Sequence, residues 1–278
     1  MCKKVAVTGA NGYIGRHVVT ELIKMNMDVV AVDINNSNIP KKAEYIQMSI
    51  FEEDENIYEK MGKPDACIHL AWRDGFKHNS DTHILDLPKH YQFIKNMYEG
   101  GLPNLSVMGT MHEIGYWEGA VTPDTPANPL SLYGIAKNTL RQSTKLLAKT
   151  YGKNLNWLRG YYIVGDDTSN HSVFTKIIEK EKEGAEKFPF TSGENKYDFL
   201  DVNELAYQIS AAAIQTEISG EINCCSGVPV ALKDKVEEFL KRNNMKIQLD
   251  YGAFPDRPYD SPAIWGDNSK IKKILSKL

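Results

Sequence analysis

Long apolar runs are missing from this sequence: no window approaches the roughly 18–20 uninterrupted apolar residues that a membrane helix requires. A dominant charge is missing too. Its 33 basic and 36 acidic residues leave a net charge of −3, so no strongly basic surface exists to attract nucleic acid or an anionic membrane. Cysteine is scarce, and Cys2, Cys67, Cys224 and Cys225 have neither the number nor the spacing of a disulfide framework. The adjacent Cys224 and Cys225 can scarcely bridge each other without strain, and Cys67 reads as a small core residue of an apolar strand. None of the seven histidines falls near a paired-cysteine spacing, so no metal site is expected. Met1-Cys2-Lys3-Lys4 leads straight into an apolar strand rather than into a signal peptide, and the expectation is a cytoplasmic protein. Repeats, low-complexity segments and long charge blocks are absent, which argues against disorder.

What is present is an alternation of short apolar runs with longer amphipathic ones. Strands are expected near 4–8, 28–33, 44–48, 65–70, 104–109 and 155–163, with helices between most of them. The segment 132–151 is the clearest helix, with Leu140, Leu146 and Leu147 on its apolar stripe and Lys and Arg opposite. Past about residue 165 the pattern loosens into single helices (172–183, 203–216, 231–242, 268–277) and short strands without an obvious linker. At 278 residues the chain suits one large domain or two intimately joined lobes. The fold class expected is α/β: a Rossmann-like, doubly wound parallel sheet with a smaller, interleaved C-terminal substrate lobe.

Thr8-Gly9-Ala10-Asn11-Gly12-Tyr13-Ile14-Gly15 follows the apolar run Val5-Ala6-Val7 and opens the helical run Tyr13 to Met25. A strand feeding a glycine turn and a helix points free N–H groups and a positive helix end at one spot, which suits a pyrophosphate. Gly9 permits the tight turn, Gly12 lets phosphates approach the backbone, and Gly15 lets helix and strand pack closely. A second apolar run, Val29 to Val32, ends at Asp33, placed to accept hydrogen bonds from adenosine ribose hydroxyls. That acid favours NAD, because a 2′-phosphate beside it would be repelled; NADP stays open. The glycines are spaced three and three rather than two and three, which points to a separate branch of dinucleotide-binding proteins. Residues 1–165 are therefore expected to form an NAD(P)-binding domain to which 197–225 return, with 166–196 and 226–278 forming a substrate-binding lobe.

Tyr133-Gly134-Ile135-Ala136-Lys137 is the second constellation. Positions four apart share a helix face, so the Lys137 ammonium is expected beside the Tyr133 phenol, lowering its pKa toward the range for proton exchange with a hydroxyl or carbonyl. Thr110, at the end of a strand, is placed to bond the same oxygen. A Tyr–Lys pair at this spacing is common as an exposed ring and a solvated lysine; behind the glycine motif it reads as a catalytic pair.

On these motifs the chain resembles the extended short-chain dehydrogenase/reductase superfamily, in particular its nucleotide-sugar epimerases, dehydratases and ketoreductases, over nearly its whole length. Asp65 to Ala71, Gly109 to Gly115, Leu158 to Gly165, Tyr197 to Val202 and Trp265 to Lys270 resemble further segments of that family. The resemblance implies a triad of Thr110, Tyr133 and Lys137, with Tyr133 as acid or base. It implies cofactor contacts at Gly9, Asn11, Gly12, Tyr13, Ile14, Gly15, Asp33, Ser49, Ile50, Leu70, Ala71, Trp72, Tyr161 and Ile163, besides Tyr133 and Lys137. Substrate contacts are expected at His112, Tyr162 and Arg257; for Arg257 a structural pairing with Asp256 or Asp260 is an equal reading.

Family dehydratases carry an Asp and a Glu after the threonine, where this chain has Met111 and His112, which disfavours dehydration, although Glu113 and His112 leave room for an unusual acid and base. His69 reads as a satisfied core residue, and His78, His83 and His90 as solvated or half-buried. The function expected is reduction of the C4 ketone of a nucleotide-linked 4-keto-6-deoxy sugar by NAD(P)H, with Tyr133 as proton donor. An NAD-dependent 4-epimerase is the alternative, and a catalytically inactive cofactor sensor a lesser one. A homodimer is expected through helices near 84–99 and 131–150, with Tyr91, Phe93 and Leu140 on their outer faces.

Overall fold

The structure, a computed structural model, describes residues 3–52, 54–165, 172–255 and 260–278. From the N-terminus the order is β1 (Lys4–Thr8), α1 (Gly15–Lys24), β2 (Asp28–Asp33), β3 (Glu44–Gln47), α2 (Ile57–Lys60), β4 (Ala66–His69), α3 (Thr82–Leu85) and α4 (Leu87–Gly100). Next come β5 (Asn104–Thr110), β6 (Gly119–Val121), α5 (Leu132–Tyr151), β7 (Asn154–Gly160), β8 (Tyr162–Val164), α6 (Val173–Lys182), β9 (Lys187–Pro189) and β10 (Lys196–Asp201). The chain ends with α7 (Val202–Ala213), β11 (Gly220–Cys224), β12 (Pro229–Ala231), α8 (Leu232–Arg242), β13 (Gln248–Asp250), β14 (Ala263–Gly266) and α9 (Ser269–Leu275).

Seven strands pair in parallel in the order β11-β7-β5-β4-β1-β2-β3. β5 throughout and β1 from Val5 onward are buried on both pleats, so the sheet needs a cover on each face. Val5 and Val7 pack into one layer with Val19 and Leu22 of α1 and Leu205 and Ile209 of α7. Ala6 turns into the other, with Phe93 and Met97 of α4 and Leu140 and Leu147 of α5. Fully burying such side chains is worth about 1.5–3 kcal/mol each, more than single-residue helix propensities supply. The strand order reverses between β1 and β4, and the crevice beyond the carboxyl ends of those strands is where this topology places a ligand.

A second sheet has the order β12-β10-β14-β6, with β8 against the other end of β10, and so draws β6 and β8 from within residues 1–165. The strand expected over 155–163 is two strands. β7 stays in the main sheet up to Gly160, paired with Thr110, and β8 joins Phe199 to Asp201 of β10 instead. Within 197–225, β11 completes the main sheet while β10 belongs to the second one. The helix expected over 84–99 divides at Asp86, and α4 starts with Pro88 in its first turn, where a missing N–H costs nothing.

Two readings of side-chain direction are corrected. Phe93 and Leu140 are 1 % and 0 % exposed and face the core, because the apolar stripes of α4 and α5 cover the sheet. Leu146, expected on the apolar stripe of α5, is 68 % exposed; it is left outside with Ile135 and Tyr91, as are Ile84 and Leu85 of α3. His83 and His90, expected on solvated or half-buried faces, are fully buried.

Candidate active site

The glycine turn is held by steric exclusion. Gly9 has φ +68°, and a Cβ there would lie 2.6 Å from Ala71 N; a Cβ on Gly15 would lie 2.0 Å from Gly9 O. Leu70 and Ala71 thus abut the turn, and no residue with a side chain fits either position. Gly12 N–H donates to Gly9 O at 3.1 Å. Asp33, at the end of β2, accepts from Asn11 N–H at 3.0 Å and from Ile34 N–H at 2.7 Å. Asn11 accepts in turn from Asn38 N–H at 2.7 Å and bonds Asn35, so turn and post-β2 loop form one polar rim. A backbone cradle that a methyl group would fill, with a carboxylate at its rim, fits a dinucleotide.

Of the other candidate cofactor residues, Ile14, Leu70 and Ile163 pack against the core beneath the turn, and Ile50 is buried on the α4 side. Ser49 Oγ accepts from Phe51 N–H at 3.2 Å. Tyr13 reaches across to β8: a Cβ on Gly165 would lie 2.3 Å from its hydroxyl. Tyr161 is buried in the cluster that links Met111 and Ile114 to the second sheet.

Tyr133 and Lys137 occupy the first two turns of α5, whose N-cap Ser131 accepts from Gly134 N–H at 3.2 Å. Burial pushes the Tyr133 phenol up to about 12, against the pull of the neighbouring Thr110 hydroxyl. The expectation that Lys137 lowers it is not met here, because the ammonium is engaged elsewhere. Lys137 Nζ donates to Met108 O at 2.8 Å and lies 3.7 Å from the centroid of the Trp72 ring. Burial brings Lys137 down to about 7, opposed by the charge of Glu113. Desolvation thus outweighs pairing for both groups, and Tyr133 is held as a phenol, the form that donates a proton.

Rings surround Tyr133. His78 stacks on it at 5.5 Å, His83 lies at 5.2 Å, His112 at 6.0 Å and Trp72 at 6.1 Å, edge-on. Trp72 Nε1–H donates to His83 Nδ1 at 3.0 Å, so His83 carries its proton on Nε2, 3.0 Å from Lys77 O. His112 lies 4.3 Å from His78 and is brought down to about 4, burial first and the neighbouring His78 second. Behind Trp72, His90 stacks at 4.4 Å and joins His69, which bonds Thr8 Oγ1 at 2.7 Å through its other nitrogen. Burial brings His69 down to about 3, as a satisfied core residue requires.

The structure thus brings Thr110, Tyr133, Lys137, Trp72 and His112 together. Tyr162 lies in the second sheet, tilted against Tyr197 at 4.3 Å, and Arg257 lies outside the described residues. Glu113 is no acid or base of the cleft: it is fully buried beneath Thr110. The walls His78 and His83 escaped the sequence reading, because their spacing from Tyr133 carries no periodic signal; only the density of histidines between 69 and 90 marked the region. Among the described residues no cluster suited to a metal ion is found, and no helix is long and apolar enough to cross a membrane.

The sequence profile of the NAD dependent epimerase/dehydratase family matches residues 5–225. The chain is 46 % identical, over 94 % of its length and 98 % of the relative, to the dTDP-6-deoxy-L-talose 4-dehydrogenase (NAD+) of Aggregatibacter actinomycetemcomitans. It is 24 % identical to the dTDP-4-dehydro-6-deoxyglucose reductase of Escherichia coli, over 89 % of this chain and 84 % of that one. Its fold matches the UDP-glucose 4-epimerase of Thermotoga maritima at a TM-score of 0.81 and 22 % identity, covering 97 % of this chain and 91 % of the other.

Proposed function

This chain belongs to the NAD dependent epimerase/dehydratase family, and within it we propose that the protein reduces the C4 ketone of a dTDP-linked 4-keto-6-deoxyhexose, in reversible exchange with the 4-hydroxy sugar. The observation that carries the reading is the 46 % identity, along nearly both full lengths, to an enzyme named for NAD+-dependent dehydrogenation of dTDP-6-deoxy-L-talose at position 4. The packing of the Trp72 ring over Lys137 and against Tyr133, with Thr110 beside the phenol, supports it from this chain's own geometry.

Ketone reduction needs a hydride at C4 and a proton on its oxygen. NAD, when bound, supplies the hydride chemistry. The turn from Gly9 to Gly15, with Asp33, would hold its adenosine half, and Trp72 and Lys137 would border the reacting half. Tyr133 keeps its proton as a buried phenol and delivers it to the C4 oxygen; Thr110 orients that phenol, and the Lys137 ammonium favours the alkoxide as it forms. In the reverse direction Tyr133 takes the proton back. Met111 lies buried and Glu113 is turned into the core, so Thr110 has no adjacent carboxylate to eliminate water.

On this reading residues 1–165 with β11 hold the dinucleotide, and 166–196 with 226–278 hold the dTDP-sugar. The exposed Leu85, Ile135 and Leu146 form the face on which a second copy would pack, making a homodimer that light scattering at micromolar concentration tests. A cytoplasmic setting suits the need for a diffusible nicotinamide pool and a chain whose Cys67, Cys224 and Cys225 are unpaired. The deciding assay mixes the purified protein with NADH and a dTDP-4-keto-6-deoxyhexose and follows NADH absorbance. Stoichiometric loss supports the reading. Constant absorbance, with NAD released on denaturation, would replace it by a 4-epimerase.

A further inference from the structure

Thr110 ends β5, and the chain then makes one 3-10 turn, Met111–Glu113. Glu113 is 0 % exposed, yet both of its oxygens are saturated. Oε1 accepts from Thr110 N–H at 2.8 Å, and Trp157 Nε1–H lies 3.0 Å from each oxygen. Arg141 Nε lies 3.4 Å and Arg159 Nη2 3.7 Å from Oε2. Thr110 Oγ1 in turn accepts from His112 N–H at 3.3 Å, closing a reciprocal capping box around the turn. The backbone before Thr110 is pressed onto the same group, since a Cβ on Gly109 would lie 2.7 Å from Glu113 Oε1 and 2.2 Å from Trp157 Nε1.

We propose that Glu113 is a positioning residue for the C4 oxidoreduction: its carboxylate holds the Thr110 amide and, through Arg141, ties the turn that carries Thr110 to α5, the helix that carries Tyr133 and Lys137. The inference rests on the redox role assigned to Tyr133 above. A buried carboxylate is a costly way to fill a core position, and an apolar residue of similar volume would stabilise the fold at least as well. Glu113 fills it with a group that meets the Thr110 amide and whose charge raises both Tyr133 and Lys137. Burial raises the Glu113 carboxyl itself, while Arg159, the Thr110 amide, Trp157 and Arg141 pull it back.

The other titratable groups facing this unit come from every element packed on it. They are Lys137 and Arg141 from α5, Arg159 from β7, Tyr161 beyond it, His112 from the turn, His78 from the loop before α3, and His83 from α3; His69 and His90 face Lys137. Removing the negative charge leaves Arg141 and Arg159 unopposed, and both changes favour tyrosinate. The signs therefore add.

The test titrates Tyr133 in the NAD+-loaded protein by pH-jump absorbance in the tyrosinate band, as the difference between each variant and its Tyr133→Phe counterpart. Glu113→Gln is expected to lower the midpoint by about one pH unit. It should also lower kcat about 10- to 100-fold with KM for the sugar nearly unchanged, and move the alkaline limb of the reduction profile the same way. A folded Glu113→Gln protein with wild-type kcat and an unmoved midpoint overturns the inference. Should Glu113→Gln not fold, Glu113→Asp, which draws the carboxylate back from the Thr110 amide, decides: a lowered kcat at an unchanged KM for the sugar supports the inference and a wild-type kcat overturns it. The titration needs no sugar, so a protein inactive on dTDP-4-keto-6-deoxyhexose would sink the proposed function while leaving the placement of Glu113 to be read.

Discussion

A methyl group on Gly15 would lie 2.0 Å from the Gly9 carbonyl oxygen, whereas the ring of Tyr133 is enclosed by side chains from three other segments, Trp72 and His78, His83 and His112. The first site is made by leaving atoms out over eight consecutive residues, and the backbone does the binding. The second is made by bringing bulky, titratable groups together from residues 72 to 133, and burial does the chemistry: Tyr133 up to about 12, Lys137 down to about 7, His112 down to about 4. A backbone cradle tolerates few substitutions but behaves alike at every pH. A nest of desolvated side chains tolerates more, and its output depends on which of them hold protons.

If the two regions divide the work in this way, lesions in one should show in turnover and lesions in the other in cofactor affinity. The largest effect is expected from Tyr133→Phe: kcat for NADH-dependent ketone reduction falls about a thousand-fold, while NAD affinity by calorimetry stays within about two-fold of wild type. A matching loss of affinity would erase the division. Gly15→Ala is the converse. Overpacking against Gly9 O should weaken NAD binding about 10- to 100-fold, the equivalent of 1–3 kcal/mol, and an alanine protein that binds NAD normally would break the steric account of the turn.

Acid sharpens the contrast next. His69 is brought down to about 3 from an ordinary 6.5 by burial, so the unfolded chain binds its proton first as the pH falls. The stability this residue contributes is complete above about pH 6.5 and is lost toward pH 3, at up to about 1.4 kcal/mol per pH unit. Urea melts across that window should show a shallower slope for His69→Gln. A slope identical to wild type would mean that His69 is not buried as a neutral imidazole. The smallest effect is expected from Trp72→Leu, which removes the ring 3.7 Å from Lys137 Nζ. Losing that attraction disfavours the ammonium, so the Lys137 midpoint moves below about 7 and kcat drops about three- to ten-fold. A pH–rate profile superimposable on wild type would remove Trp72 from the site.

Much of this was legible residue by residue. Gly9, Gly12 and Gly15 announce their turn because nothing larger fits a left-handed residue beside Ala71 or a helix seated on Gly9 O. Asp33 is readable because a parallel strand delivers its last residue to the switch point. Tyr133 and Lys137 show as a pair because a helix repeats every 3.6 residues. Phe93 and Leu140 face the sheet and not a partner, a choice that amphipathic spacing leaves open because it names a stripe without saying what covers it. The break at Gly160 is hidden because a single residue, Tyr161, separates β7 from β8, and only pairing with β10 tells them apart.

The amino-acid sequence by itself determined the alternation of strand and helix, the glycine turn with its acid, and the Thr110, Tyr133 and Lys137 candidates, because each depends on sterics or periodicity within a few neighbouring residues. Only the tertiary structure decided that Glu113 lies under Thr110 against Trp157, that Lys137 bonds Met108 O beside Trp72, and that Tyr133 carries its proton. Those outcomes depend on burial and on charges brought together across long stretches of chain, and desolvation has no value until the surrounding groups are in place.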